Sequence, residues 1–259
     1  MDDFAGGKAL VYKSDNIFER RRRVLREARR MISEAGLEGF SVRELCARAG
    51  IAQKTLYNAF GGKDNVIALA IRQYMADFIE RTSYHHEGMT LEGRLERLVK
   101  VHSRNIQVGP YTRAIMSVYN SPADRTIRQV IRDMSEAGLR PYVESLAAAG
   151  ALGPGVSPPA LVALLSTVVY AILSDWCLGE VRDEDLVNLI CEAFLVVICG
   201  HTVGEAEAEA RRWLTLARAR APEWLALRRI SEVAPAEIAA ARRRAEPSPA
   251  GGRKRAAAK

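Results

Sequence analysis

Apolar residues recur every three to four positions along almost the whole 259-residue chain, and no run of alternating β-branched residues interrupts them. That spacing gathers side chains onto one face of an α-helix, whereas a half-buried strand needs a period of two. An all-α fold is therefore expected. The length suffices for one large domain or two modest ones, with a core that needs no covalent staple. The four cysteines, Cys46, Cys177, Cys191 and Cys199, form no CxxC pair. Free thiols in a reducing, cytoplasmic compartment follow, with no metal or other cofactor. The most apolar stretch, residues 161–178, is broken by Ser166, Thr167, Ser174 and Asp175. It falls short of the about 18 uninterrupted apolar residues that would mark a membrane span. The acidic start Met1-Asp2-Asp3-Phe4 does not read as a secretory leader.

Capping and breaking residues divide the chain. Ser14 or Asp15 can cap a first helix that carries Val24, Leu25, Ala28, Met31, Ile32 and Ala35 on one face, and Gly36 ends it. Ser41, with Glu44 three residues on, forms a capping box for a second, short helix. Gly50 turns the chain into a third helix, Ala52 to Phe60, and after Gly61 and Gly62 a fourth runs from Lys63 to about Arg81. Helices are expected over residues 91–107, 110–118 and 123–149, the last interrupted at Gly138 and Pro141. Pro158 and Pro159 suit a first turn capped by Ser157. Helices over residues 160–179 and 183–201 are joined so tightly that they must pair antiparallel. Trp213, Leu214, Leu216, Trp224, Leu225, Leu227 and Ile230 point to an additional helical pair around Pro222.

The expected division is a flexible start over residues 1–13 and a three-helix helix-turn-helix unit over 14–62. A helical regulatory and dimerisation domain follows over 63–204, then an extra helical segment over 205–234 and a basic, disordered tail over 235–259. The net charge of +7 is uneven: residues 13–63 carry +6, residues 64–210 carry −7 and residues 211–259 carry +9. Basic ends around an acidic middle suggest that only the ends meet a polyanion.

The segment from Ser41 to Lys63 narrows the function. A helix-turn-helix needs two short helices crossing steeply, a turn residue tolerant of positive φ and a small residue at the helix contact. Gly50 fits the turn, Cys46 the contact, and Leu45, Ile51 and Leu56 the shared apolar seam. At fixed spacing, Gly36, Ser41-Val42, Leu45-Cys46, Ala49-Gly50-Ile51, Thr55-Leu56-Tyr57, Phe60 and Lys63 resemble the DNA-binding domain of the TetR family of transcriptional regulators. The resemblance covers about residues 20–70. Two positions depart from it: Cys46 stands where alanine is usual, and Ala52 where a serine commonly caps the recognition helix.

The resemblance implies that the third helix enters the major groove of double-stranded DNA. Gln53 and Asn58 can pair with adenine, Lys54 with guanine, and the Thr55 methyl with thymine. Tyr57 is expected on a phosphate, as are Ser41, Arg43 and Lys63 at helix starts. In the run Arg20 to Arg23, Arg20 and Arg23 are candidates for further backbone contact. The resemblance also implies a homodimer on a palindromic operator, joined through the helices near 160–179 and 183–201, with repression as the default outcome. A small-molecule effector is implied in the helical domain, where His102, Ile106, Met116, Tyr119 and Tyr170 have the character to contact it.

Two other classes compete with this reading. An enzyme finds no support: His85, His86, His102 and His201 form no HExxH or HxxxH pair, and His85 and His86 are expected to point apart on a helix. No glycine-rich phosphate loop or GxSxG elbow occurs. An architectural DNA-binding protein or a partner-binding scaffold on the same fold would differ by lacking sequence preference, which a regulator shows at about a thousandfold or more.

Overall fold

The computed structural model describes residues 6–120 and 125–231, of which 6–16 and 125–126 are described by backbone alone. The tail with Arg253, Lys254 and Arg255 lies outside the described residues. Among those residues eleven helices and no strand follow one another. They are α1 (Gly6–Ala35), α2 (Val42–Ala49), α3 (Gln53–Phe60), α4 (Lys63–Arg81), α5 (Leu91–Gln107), α6 (Gly109–Tyr119), α7 (Arg125–Ala148), α8 (Pro158–Leu178), α9 (Asp183–His201), α10 (Glu205–Arg218) and α11 (Pro222–Ser231). The all-α expectation holds. The first helix starts ahead of the predicted cap, because nothing from Lys8 to Lys13 breaks a helix and Ser14 and Asp15 are only weak interior formers.

Two cores form. One joins Val24, Ala28 and Ile32 of α1, Leu45 of α2, Leu56 and Phe60 of α3, and Val66 and Ile67 of α4, and reaches Tyr111 of α6 and Ile131 of α7. The other joins Leu95 and Val99 of α5, Val143 of α7, Leu165 and Trp176 of α8, Phe194 of α9, Trp213 of α10 and Trp224 of α11. α4 packs on α1 and on α7, and α7 carries residues of both cores, Ile127 and Ile131 in the first and Leu139, Tyr142 and Val143 in the second. The added helical pair is integral. The Trp224 indole is fully buried and donates to Asn188 Oδ1 at 3.2 Å, and the Trp213 indole donates to Glu92 Oε1 at 3.2 Å.

Several local expectations are corrected. α7 runs through Gly138 and Pro141 without a break. Pro141 deprives the Ala137 carbonyl of its partner, and the neighbouring Gly138 carbonyl is reached by the Arg94 guanidinium. Ser157 stands at the N-cap of α8 but makes no capping bond, and Pro159 removes one of the two amides, those of the second and third helical residues, that a cap side chain serves. His85 and His86 lie in the α4–α5 loop, not on a helix, and converge on one carboxylate. Glu96, fully buried, accepts from both backbone amides at 2.9–3.0 Å and from both Nδ1 atoms at 3.0 and 3.1 Å, with Lys100 Nζ at 3.4 Å. α8 is, against expectation, long and apolar enough for a membrane span by length and composition. One of its faces is core, and another carries the exposed Leu164 and Leu178.

Candidate functional site

The helix-turn-helix head is assembled by short-range chemistry. Ser41 Oγ accepts from the Glu44 amide at 3.4 Å and starts α2. Only half of the predicted capping box forms, because the Glu44 carboxylate turns forward to Arg48 at 2.5 Å, while Arg48 also holds Glu34 of α1 at 2.6 Å. The guanidinium is thus neutralised, and it ties α2 to α1. At the end of α2, Gly50 takes φ +62°, its amide bonds the Ala47 carbonyl at 3.3 Å and the Ile51 amide bonds the Cys46 carbonyl at 3.0 Å. This paired arrangement is the glycine-dependent helix stop that sets the crossing of α2 and α3. Ala52 begins α3 with no side-chain cap.

Burial sorts the residues of α3. Leu56 and Phe60 face the core, Thr55 is half-buried, and Gln53, Lys54, Tyr57 and Asn58 are exposed. Tyr57 keeps 49% of its surface in solvent. Ser41, Arg43 and Lys63 are exposed at the starts of α2 and α4. The Lys63 ammonium lies 5.8 Å from the centre of the Phe40 ring, so it stands beside the residue preceding Ser41. Arg21 lies 5.2 Å from the centre of the Phe60 ring, on the side of α1 that faces α3; of the arginine run, this is the member set against the reading helix.

A second feature lies behind the head. A cavity of about 180 Å³ opens between α4, α5, α6, α7 and α8. His102, Met116 and Tyr170 line it; Ile106 and Tyr119 do not. Tyr119 instead stacks on Tyr170, with centroids 4.5 Å apart, and Ile106 packs into the second core. Burial, and then the Arg94 charge, pushes the His102 imidazole down to about 4, so it is neutral at pH 7. Asn105 Nδ2, a donor only, sits 3.2 Å from His102 Nδ1, which leaves the ring proton on Nε2. Tyr170 donates to the Ile131 carbonyl at 2.9 Å. Arg94, Arg97, Tyr74 and Tyr111, none of them singled out from sequence, also line the cavity. The available signal was the helical stripe Arg94, Arg97, Val101, His102 and Asn105, which places two cations on a face that also carries apolar residues. Among the described residues no group of three or more His, Cys, Asp or Glu side chains is arranged to hold a metal ion.

Tyr74 connects cavity and head. Its hydroxyl accepts from Arg104 Nε of α5 at 2.8 Å, its ring meets Tyr111 of α6 edge-on at 5.2 Å, and Arg29 of α1 lies 5.2 Å from its centre. Four helices thus meet at one ring, on the helix that begins directly after α3.

Comparisons with known proteins agree with this architecture. Residues 24–70 match the family described as bacterial regulatory proteins, tetR family. The HTH-type transcriptional regulator YvaF of Bacillus subtilis is 28% identical over 80 residues, 30% of this chain and 42% of that protein, so the match spans less than half of that relative. Among solved structures, a TetR-family transcriptional regulator from Rhodococcus sp. is similar with a TM-score of 0.52 and 19% identity, over 69% of this chain and 98% of that one. TylP, a TetR regulator from Streptomyces fradiae, gives 0.52 and 18% over 78% and 98%. A TetR transcription regulator from Haloarcula marismortui gives 0.52 and 12% over 71% and 99%. These relatives are described as transcriptional regulators, and the segment of this chain that matches the tetR family of bacterial regulatory proteins, residues 24–70, is the one that carries the helix-turn-helix.

Proposed function

We propose that this protein is a cytoplasmic, homodimeric repressor that reads a palindromic operator through α3 and is released from it by a small molecule bound behind the head. The observation that carries this reading is the division of α3: its apolar residues are spent on the core, and Gln53, Lys54, Tyr57 and Asn58 are left free on one solvent face. Glutamine, asparagine and lysine are the side chains that pair with base edges, while Tyr57, Ser41, Arg43 and Lys63 suit phosphate contact. One short helix reads few base pairs, and two-fold dimers with heads about 34 Å apart supply the rest. Support for the dimer comes from α8 and α9. Leu164 and Leu178 on one, and Leu189 and Val196 on the other, remain exposed on helices otherwise committed to the core. A second copy packed there makes a four-helix interface. Support for release comes from α4, whose first residue follows the reading helix and whose Ile71, Tyr74 and Ile79 line the cavity.

Selection from random duplex DNA, followed by titration of the enriched site at two salt concentrations, tests the reading. A palindromic motif is expected, with Tyr57→Ala weakening binding by about tenfold or more, the size of one lost charge-assisted contact. Binding without an enriched motif and with a steep salt slope would instead favour the architectural role.

A further inference from the structure

The cavity has a chemical bias of its own. Six residues of α5 line it, from Arg94 to Asn105, a stripe about 16 Å long at 1.5 Å per residue. Most of the remaining wall is apolar, and no Asp or Glu lines it. Two cations therefore face the cavity without a lining acid, and neither Arg94 nor Arg97 makes an ion pair among the described residues. Arg97 spends one nitrogen on the carbonyls of His86 and Gly93, at 3.2 and 2.8 Å, and stacks on Tyr84 with its guanidinium carbon 4.2 Å from the ring centre. Arg94 gives one terminal nitrogen to the Gly138 carbonyl, while its Nε is buried with no partner. Burial, then the like charge of Arg97, lowers Arg94 to about 10, which leaves it cationic at pH 7 and in need of an anion. Tyr111, a lining residue on α6 that is only 6% exposed, carries a second buried polar atom without a partner, its hydroxyl. Native interiors rarely leave such groups unmatched, and here two of them belong to residues that line one cavity, on α5 and on α6.

We propose that the cavity takes a monocarboxylic acid with an apolar body, its carboxylate held by Arg94 and a neutral acceptor oxygen at its other end held by the Tyr111 hydroxyl. A cavity of about 150 Å³ holds a benzene ring. At about 180 Å³ this one suits a short aliphatic chain or a single flat ring. The proposal rests on the reading of this cavity as the effector site and names the class of effector.

Calorimetric titration of the full-length protein with octanoate, octanol and octylamine separates the possibilities. Octanoate is expected to bind at least about tenfold more tightly than octanol, with octylamine weakest, as one charge-assisted bond in a dry site dictates. Arg94→Gln should remove the preference for octanoate while leaving octanol binding in place, and Arg94→Lys should restore part of it. 7-Oxooctanoate should bind several-fold more tightly than octanoate, a gain lost in Tyr111→Phe. Equal binding of octanoate and octanol to the unaltered protein overturns the proposal even if Arg94→Gln fails to fold, and so does an absence of octanoate binding. Release of operator DNA is measured separately. If octanol or octylamine releases DNA and octanoate does not, the acid class fails and the effector reading stands. If octanoate binds through Arg94 without weakening DNA binding, the acid class stands and the effector reading fails.

Discussion

The side chains proposed to act point in opposite directions in the helix-turn-helix head and in the helical body. In the head, Gln53, Lys54, Tyr57 and Asn58 project outward from a small unit whose geometry is set by neighbours in sequence. Ser41 caps, Gly50 turns, and Arg48 ties α2 to itself and to α1. In the body, Arg94, His102, Tyr111 and Tyr170 project inward, and the cavity exists only because five helices meet, with Tyr74 and Leu173 on its wall almost a hundred residues apart in sequence. An outward site constrains its scaffold only through the angle between two helices. An inward site constrains every helix that lines it, and it draws on the stability of the whole body to hold polar groups that lack partners.

The contrast is broken most severely at the junction of α9 and α11. Trp224 is fully buried and its indole nitrogen meets the buried Asn188. Trp224→Ala is expected to cost about 4 kcal/mol, counting the lost burial and the cavity left behind. Denaturant unfolding followed by circular dichroism measures this. A loss below about 1 kcal/mol would mean that α10 and α11 are an appendage. The body would then end near Gly204, and the second core would be smaller than its contacts imply.

The next largest effect lies at Glu96. Burial by itself would raise this carboxyl, but the amides and imidazoles of His85 and His86 prevail and hold it at about 2, below the ordinary 4.5. A carboxylate held down in the folded state contributes stability that is complete above pH 4.5 and is lost as the pH falls from 4.5 to 2. Glu96→Ala leaves Lys100 buried without its acid and is expected to cost about 3 kcal/mol at pH 7. The variant's stability should also depend less on pH across that acid window. Equal acid sensitivity in both proteins would mean that the cluster is not what links the α4–α5 loop to the body.

The two regions also differ in how far their sequences disclose them. Helix boundaries in the head were legible because each is set by one or two residues with a local effect, as at Gly36, Ser41 and Gly61. Gln53, Lys54 and Asn58 on the exposed face of α3 followed from the same count, whereas Thr55 is half-buried. Glu44 was misjudged because a capping box assumes no competing cation, and Arg48 competes from four residues on. In the body, His102, Met116 and Tyr170 were recognisable as apolar-facing polar or large side chains, yet nothing local distinguishes a cavity wall from a filled core. Arg94 and Arg97 carry no local sign of their surroundings, which come from Gly138 of α7 for the first and from Tyr84 and His86 of the α4–α5 loop for the second. Likewise, Glu96 looks like any helical glutamate until the loop carrying His85 and His86 folds back onto it.

The smallest effect sharpens the comparison most directly. Ala52 stands at the N-cap of α3 with φ −74° and ψ 148°, the extended conformation a capping serine adopts, and no side chain there accepts from the first turn. The residue is exposed, so a hydroxyl meets no packing obstacle. Ala52→Ser is expected to stabilise the head by about 1 kcal/mol. Hydrogen exchange locates that gain. If the head opens as a unit of its own, protection should rise at the amides of α2 and α3 and stay constant at those of α5 and α9. If the two cores, linked by α4 packing on α7, open together, protection should rise in both regions alike. The second outcome would mean that the bridge through α4 and Tyr74 couples head and body in stability, as an effector acting from the cavity requires.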